Sequence, residues 1–117
     1  MREPAGLMTL TAENWDHEVL RSPVPFAVGF FADWCVPCRT MAPSLQGAAA
    51  ALWNRMRFGQ VDVEQSPELA ARHSIQGLPT LLIFTRGEVV QRRVGLMARE
   101  DLFEMLESQA AGSARTA

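Results

Sequence analysis

Cys35 and Cys38 are the two cysteines of the 117-residue chain, and they stand in the segment Trp34-Cys35-Val36-Pro37-Cys38. At this spacing on the first turn of a helix their β-carbons share a face, so the sulfurs can close a small ring and reopen it without unfolding their surroundings. The chemistry such a pair supports is thiol–disulfide exchange. Unpaired backbone N–H groups and the positive end of the helix dipole stabilise a thiolate at a helix start. Cys35, in the cap region, is therefore expected to ionise below the free-thiol value of about 8.5. Cys38, one turn further in, has fewer free donors and stays a thiol until needed. The asymmetry makes Cys35 the attacking thiolate and Cys38 the resolving thiol, which attacks the sulfur of Cys35 in a mixed disulfide.

Other uses of the pair fit less well. A zinc or iron–sulfur site takes about four ligands, and besides the cysteines the chain offers His17 and His73. These histidines fall on other predicted helices, so no metal site is expected. A purely structural bridge would close too small a loop to gain much entropy, and a reducing compartment would open it.

The pair needs a strand that ends just before it and a helix that begins with it. Phe26-Ala27-Val28-Gly29-Phe30-Phe31 is a nearly continuous apolar run, the pattern of a strand covered on both faces at the centre of a sheet. After Cys38, the residues Met41, Leu45, Ala48 and Leu52 recur at helical spacing and predict a helix from about Val36 to about Asn54, kinked at Pro43. Upstream, Thr11 can cap a helix over Ala12 to Leu20, with Trp15 and Val19 on its inner face and Pro23 and Pro25 ending it. Downstream, Phe58 to Val63 reads as a strand, and Ser66-Pro67-Glu68 starts a short helix to about His73. Thr80 to Phe84 and Val89 to Val94 form a hairpin through Arg86-Gly87, and Leu102, Phe103, Met105 and Leu106 line a last helix from Arg99 to Gln109. Counting a strand ahead of the Thr11-capped helix, the order is β-α-β-α-β-α-β-β-α. The fold class is α/β, a three-layer α/β/α sandwich around a mixed sheet.

The length holds one domain, assigned to residues 6–109, and the small-residue stretch 110–117 reads as a flexible tail with nothing to bury. A net charge of -2 argues against a nucleic-acid binder. No apolar run approaches the roughly 20 residues of a membrane helix. Met1-Arg2-Glu3-Pro4-Ala5-Gly6 carries an acid and a proline where a secretory signal has its basic start and apolar centre, so the expected location is the cytoplasm. The sequence contains no lysine, which removes Schiff-base chemistry.

Ala32-Asp33-Trp34-Cys35-Val36-Pro37-Cys38-Arg39 resembles the active site of the thioredoxin family, and Met41-Ala42-Pro43 resembles its helix kink. Asp62-Val63-Glu64-Gln65-Ser66-Pro67, Gly77-Leu78-Pro79-Thr80, Gly87-Glu88-Val89 and Val94-Gly95 follow in the family's order, so the resemblance spans about Leu7 to about Glu107. It implies a five-stranded sheet flanked by four helices. It also implies a cis peptide before Pro79 beside the cysteines, with the Leu78 backbone free to pair with an extended substrate and Pro79 keeping metals from the thiols. Trp34, Val36, Pro37, Gly77, Leu78 and Gly95 would then support or line an apolar docking surface. The implied activity is protein-disulfide reduction by a monomer that binds no cofactor, with electrons from NADPH through a flavoprotein, thioredoxin reductase. A redox-shifted isomerase or oxidant, and a non-catalytic binding module, are the alternatives.

The chain departs from the family pattern in four places. Gly29 stands where the family has a buried aspartate behind the cysteines, and Gln60 where a lysine partners it. Losing both is physically consistent, since a buried charge without its counterion is costly. Cys38 must then lose its proton to water entering beside Gly29, or to Asp33 or Glu64. Val36 replaces the usual glycine between the cysteines, which bears on the reduction potential. Ala98 lacks the capping oxygen expected before the last helix, and Glu100 and Asp101 partly compensate through the dipole. His17 and His73 read as solvated or capping groups with no part in the chemistry.

Overall fold

The computed structural model describes residues 6–114. Five strands, β1 (Leu7–Thr9), β2 (Phe26–Phe31), β3 (Arg57–Asp62), β4 (Thr80–Thr85) and β5 (Glu88–Val94), form one sheet in the order β1-β3-β2-β4-β5. β1 and β2 run parallel to β3, while β4 is antiparallel to both β2 and β5. The apolar run of β2 lies in the middle, with Phe26 through Phe30 all buried. β4 and β5 join through Arg86-Gly87, both at positive φ, which suits the tight twist of a two-residue hairpin.

The sheet's two faces bury separate cores. Helices α1 (Val36–Leu52) and α3 (Arg99–Ala114) cover the face presenting Ala27, Phe58, Leu81 and Ile83, into which α1 sends Met41, Leu45, Ala48 and Leu52. The other face, with Phe26, Val28, Phe30, Leu82 and Phe84, receives Val19 from a helical turn at Asp16–Leu20, Trp15 from the N-cap of that turn, and Leu69 from α2 (Pro67–Arg72). This is the expected three-layer sandwich.

The first helix is shorter than its periodicity predicts. Residues 12–14 form turns, and Asp16–Leu20 is a π-helical turn, with the Arg21 N–H donating to Asp16 O. Thr11 does not cap it with its side chain; Asn14 Oδ1 accepts from the Thr11 N–H at 2.8 Å, and Asn14 Nδ2 donates to Thr9 O at 3.0 Å. That bracing takes up the residues a regular first turn would have used. Arg57 pairs with Glu18 and lies 5.0 Å over the Phe26 ring, which ties the π turn to the start of β3.

The last helix is longer than predicted. α3 runs past Gln109 to Ala114, and Ala110 is fully buried against the α1 side of the sheet. The tail therefore does have something to bury at its first residue; residues 115–117 lie outside the described residues. α1 continues through Pro43 without interruption, and α3 begins on the Ala98 carbonyl, which accepts from the Leu102 N–H at 2.9 Å.

His73 is the C-cap of α2, one of the two roles expected of it, and its side chain is half-buried rather than solvated. Its ring lies 5.0 Å from that of Trp15, 5.5 Å from Phe84 and 6.1 Å from Phe30, and its Nε2 is buried with no hydrogen-bond partner among the described residues. Burial lowers its pKa below the usual 6.5, and the nearby Arg72 and Arg92 guanidinium groups push the same way. The folded protein thus binds fewer protons at this site than the unfolded chain. His73 contributes its full share of stability above the unfolded value and loses it as pH falls below 6.5 toward the lowered folded value. Urea unfolding across that window should show wild-type stability falling more steeply with acid than that of His73→Phe; parallel curves would contradict this linkage.

Candidate active site

β2 delivers the chain to the cysteines and α1 carries it away. The Cys35 N–H donates to Ala32 O at 3.1 Å, closing the turn between them. Cys35 is the N-cap of α1, extended at φ -86° and ψ 107°, and Pro37 sits in the first turn, where its missing N–H leaves no helix bond unmade. The Cys38 N–H donates to Cys35 Sγ at 3.2 Å, whereas the Cys38 sulfur accepts no hydrogen bond among the described residues. The two form a disulfide with their Cα atoms 5.3 Å apart.

Both cysteines are buried, yet they border different spaces. Cys35 lies on a groove with Trp34, Val36, Pro37, Val63, Ile75 and Leu78. Trp34 is 64% exposed and Val36 60%, so the rim of this groove is apolar and open to solvent. Cys38 instead walls a cavity of about 200 Å³ between α1 and the sheet, which Gly29, Gln60, Asp33 and Pro79 also line. Gly29 and Gln60 are register partners on β2 and β3.

The groove's far wall is built by the loop before β4. The Leu78-Pro79 peptide is cis, and Leu78 reaches the groove. Gly77 and Gly95 support this loop rather than lining the groove. The Gly77 carbonyl accepts from Thr80 Oγ1 at 2.6 Å, and a β-carbon on Gly77 would meet Val94 Cγ1 at 2.9 Å. Gly95 adopts φ 97°, a conformation suited to glycine, while its N–H donates to Pro79 O at 2.8 Å.

Glu64 belongs to the groove side. Its Oε2 accepts from Trp34 Nε1 at 2.7 Å, and its backbone is fixed by Asp62 Oδ1, which accepts from the Glu64 N–H at 2.9 Å. Asp33, by contrast, shares the cavity with Cys38, and Arg39 Nη1 donates to the Asp33 carbonyl. Of the two carboxylates considered as proton acceptors for Cys38, only Asp33 shares that residue's cavity. Sequence reading missed Ile75, Gln76 and Ala70 as groove walls, because their place depends on how α2 and its loop pack over the sheet. It also missed the tether between Trp34 and Glu64, 30 residues apart, which no local periodicity signals.

Among the described residues no helix is long and apolar enough to cross a membrane. The thioredoxin family profile matches residues 6–108. A thioredoxin of Rhodospirillum rubrum is 33% identical over 81% of this chain and 91% of its own length. A thioredoxin of Buchnera aphidicola subsp. Acyrthosiphon pisum is 36% identical over 86% of this chain and 94% of its own, and one of Acidithiobacillus ferridurans 31% identical over 89% and 96%. The likeness takes in the cysteine turn together with the sheet that holds it, so the chain belongs to the thioredoxin family and is a disulfide oxidoreductase.

Proposed function

We propose that this oxidoreductase works as a reductase of protein disulfides in the cytoplasm, as a monomer, and is itself re-reduced by NADPH through a flavoprotein thioredoxin reductase. The observation that carries the division of labour is the hydrogen bond from the Cys38 N–H to Cys35 Sγ. A donor aimed at that sulfur, at the positive end of α1, stabilises negative charge there. Cys35 also borders the open groove.

In the reduced protein the Cys35 thiolate attacks one sulfur of a substrate disulfide. The substrate S–S bond breaks, a mixed disulfide forms, and the departing sulfur leaves as a thiolate that takes a proton from water. Cys38 then gives its proton to water in the cavity beside Gly29 and attacks Cys35 Sγ. The second substrate sulfur is expelled, and two electrons have passed to the substrate. The product is the disulfide of the structure. Trp34, Val36, Pro37 and Leu78 present the apolar surface on which an extended substrate segment lies, while Gly77, Pro79 and Gly95 hold that surface in place. No cofactor binds this chain.

The test is NADPH consumption by a thioredoxin reductase in the presence of this protein and a disulfide-bonded protein substrate. Turnover that requires both cysteines supports the reading. If the double variant Cys35→Ser/Cys38→Ser keeps full function in cells, the chain is a binding module instead. The groove makes a second expectation measurable. Glu64→Ala releases the Trp34 indole and should raise KM for a protein disulfide about two- to fivefold with kcat unchanged, the worth of one exposed hydrogen bond. Unchanged steady-state kinetics would remove Glu64 from substrate positioning.

A further inference from the structure

The two cysteines border separate spaces. Protein substrates reach Cys35 from the groove, of which Cys38 is not a wall, whereas Cys38 borders the cavity between α1 and the sheet, of which Cys35 is not a wall. We infer that this cavity is a second binding site, for a small, uncharged, largely apolar molecule bearing one hydrogen-bonding group, seated against Cys38.

Size sets the first limit. A cavity of about 150 Å³ lined by apolar side chains can hold benzene, and this one measures about 200 Å³. It therefore suits a ring-sized molecule of roughly six to nine non-hydrogen atoms. Gly29 adds no side chain to the β2 wall of this space. A β-carbon there would already lie 3.1 Å from Leu45 Cδ2, so Leu45 bounds the cavity without filling it.

The walls set the chemistry. Leu7, Met41 and Leu45 contribute buried apolar side chains, and water against them is weakly held and readily displaced. Gln60 supplies the polar contact: its side-chain amide is half-buried and makes no hydrogen bond among the described residues. An amide in that position offers both a donor and an acceptor to a ligand. The charged residues on the cavity wall, Asp33 and Arg39, are exposed and of opposite sign. A charged ligand would have to shed its water against apolar walls without a buried counterion.

The experiment uses the oxidised, full-length, isotope-labelled protein titrated with benzyl alcohol and, separately, with benzoate, followed by NMR. Benzyl alcohol should give saturable shifts at Gly29, Ala42, Leu45 and Gln60 and leave Trp34, Val36 and Leu78 in place, with benzoate at least about tenfold weaker. Ala42→Leu, which fills the cavity from α1, should abolish the shifts. If that variant does not fold, the wild-type map and the benzoate comparison decide the matter alone. No saturable shift up to the solubility limit, shifts centred on the groove, equal binding of benzoate, or undiminished binding by a folded Ala42→Leu would each overturn the proposal.

Discussion

Replacing Cys35 with serine should lower disulfide-reducing turnover by at least about three orders of magnitude, because a serine hydroxyl is un-ionised near neutral pH and cannot form the mixed disulfide. Cys38→Ser should fail differently. Cys35 keeps its N-cap place and its border on the groove, although the helix backbone carries the donor to its sulfur through residue 38. The first attack therefore proceeds and the second cannot. The Cys38→Ser protein should accumulate a covalent adduct whose mass equals protein plus substrate, while Cys35→Ser should accumulate none. Intact-mass spectrometry after a single turnover distinguishes the two. An adduct on Cys35→Ser and none on Cys38→Ser would reverse the assigned roles.

The second large effect is expected at Gly29. Gly29→Asp places a carboxyl in the cavity that Cys38 borders, beside the half-buried Gln60, and its β-carbon would start 3.1 Å from Leu45 Cδ2. Leu45 must give way by a few tenths of an ångström. Burying the new group with a single neutral partner should cost about 1–3 kcal/mol of stability. Desolvation would raise its pKa above the unfolded value of about 3.9. With the folded pKa raised, the charge penalty is absent below the unfolded value and complete only above the folded one, so the variant should lose stability as pH rises between them. In exchange, Cys38 gains a base within its cavity, and resolution of the mixed disulfide should accelerate about ten- to a hundredfold, with a new pH dependence. Single-turnover kinetics and urea unfolding over pH measure both. A resolution rate and pH profile identical to wild type would show that position 29 has no part in the proton transfer.

The features legible in the sequence were those fixed by short-range pattern. The apolar run Phe26 to Phe31 announced a central strand because both its faces are covered, and the spacing of Met41, Leu45, Ala48 and Leu52 announced the buried stripe of α1. The cysteine turn was equally local. What escaped was decided by packing between distant segments. Asn14 braces the chain back to Thr9 and Thr11, which delays the first helix and turns it into a π-helical turn. Ala110 extends α3 because the α1 side of the sheet has room for a small residue, and no hydrophobic periodicity in a stretch of alanine and glycine reveals that. His73 looked like a surface residue after a short helix, yet Trp15, Phe30 and Phe84 arrive from three other elements to surround it. The placing of Cys35 on a groove and Cys38 on a cavity likewise involves residues far apart in the chain, Ala70, Ile75 and Leu78 on one side and Leu7, Leu45 and Gln60 on the other.

Val36 bears on the strength of the reductant, since residues between the cysteines shift the balance of thiolate and disulfide. Its side chain is exposed on the groove rim, so it touches both the redox centre and the surface a substrate meets. The most direct measurement is the equilibrium reduction potential of the Cys35–Cys38 couple, titrated against a defined thiol buffer with dithiol and disulfide counted by mass. A reductase should show a two-electron couple near about -270 mV, and a value near about -180 to -120 mV, or no two-electron couple at all, would contradict that function.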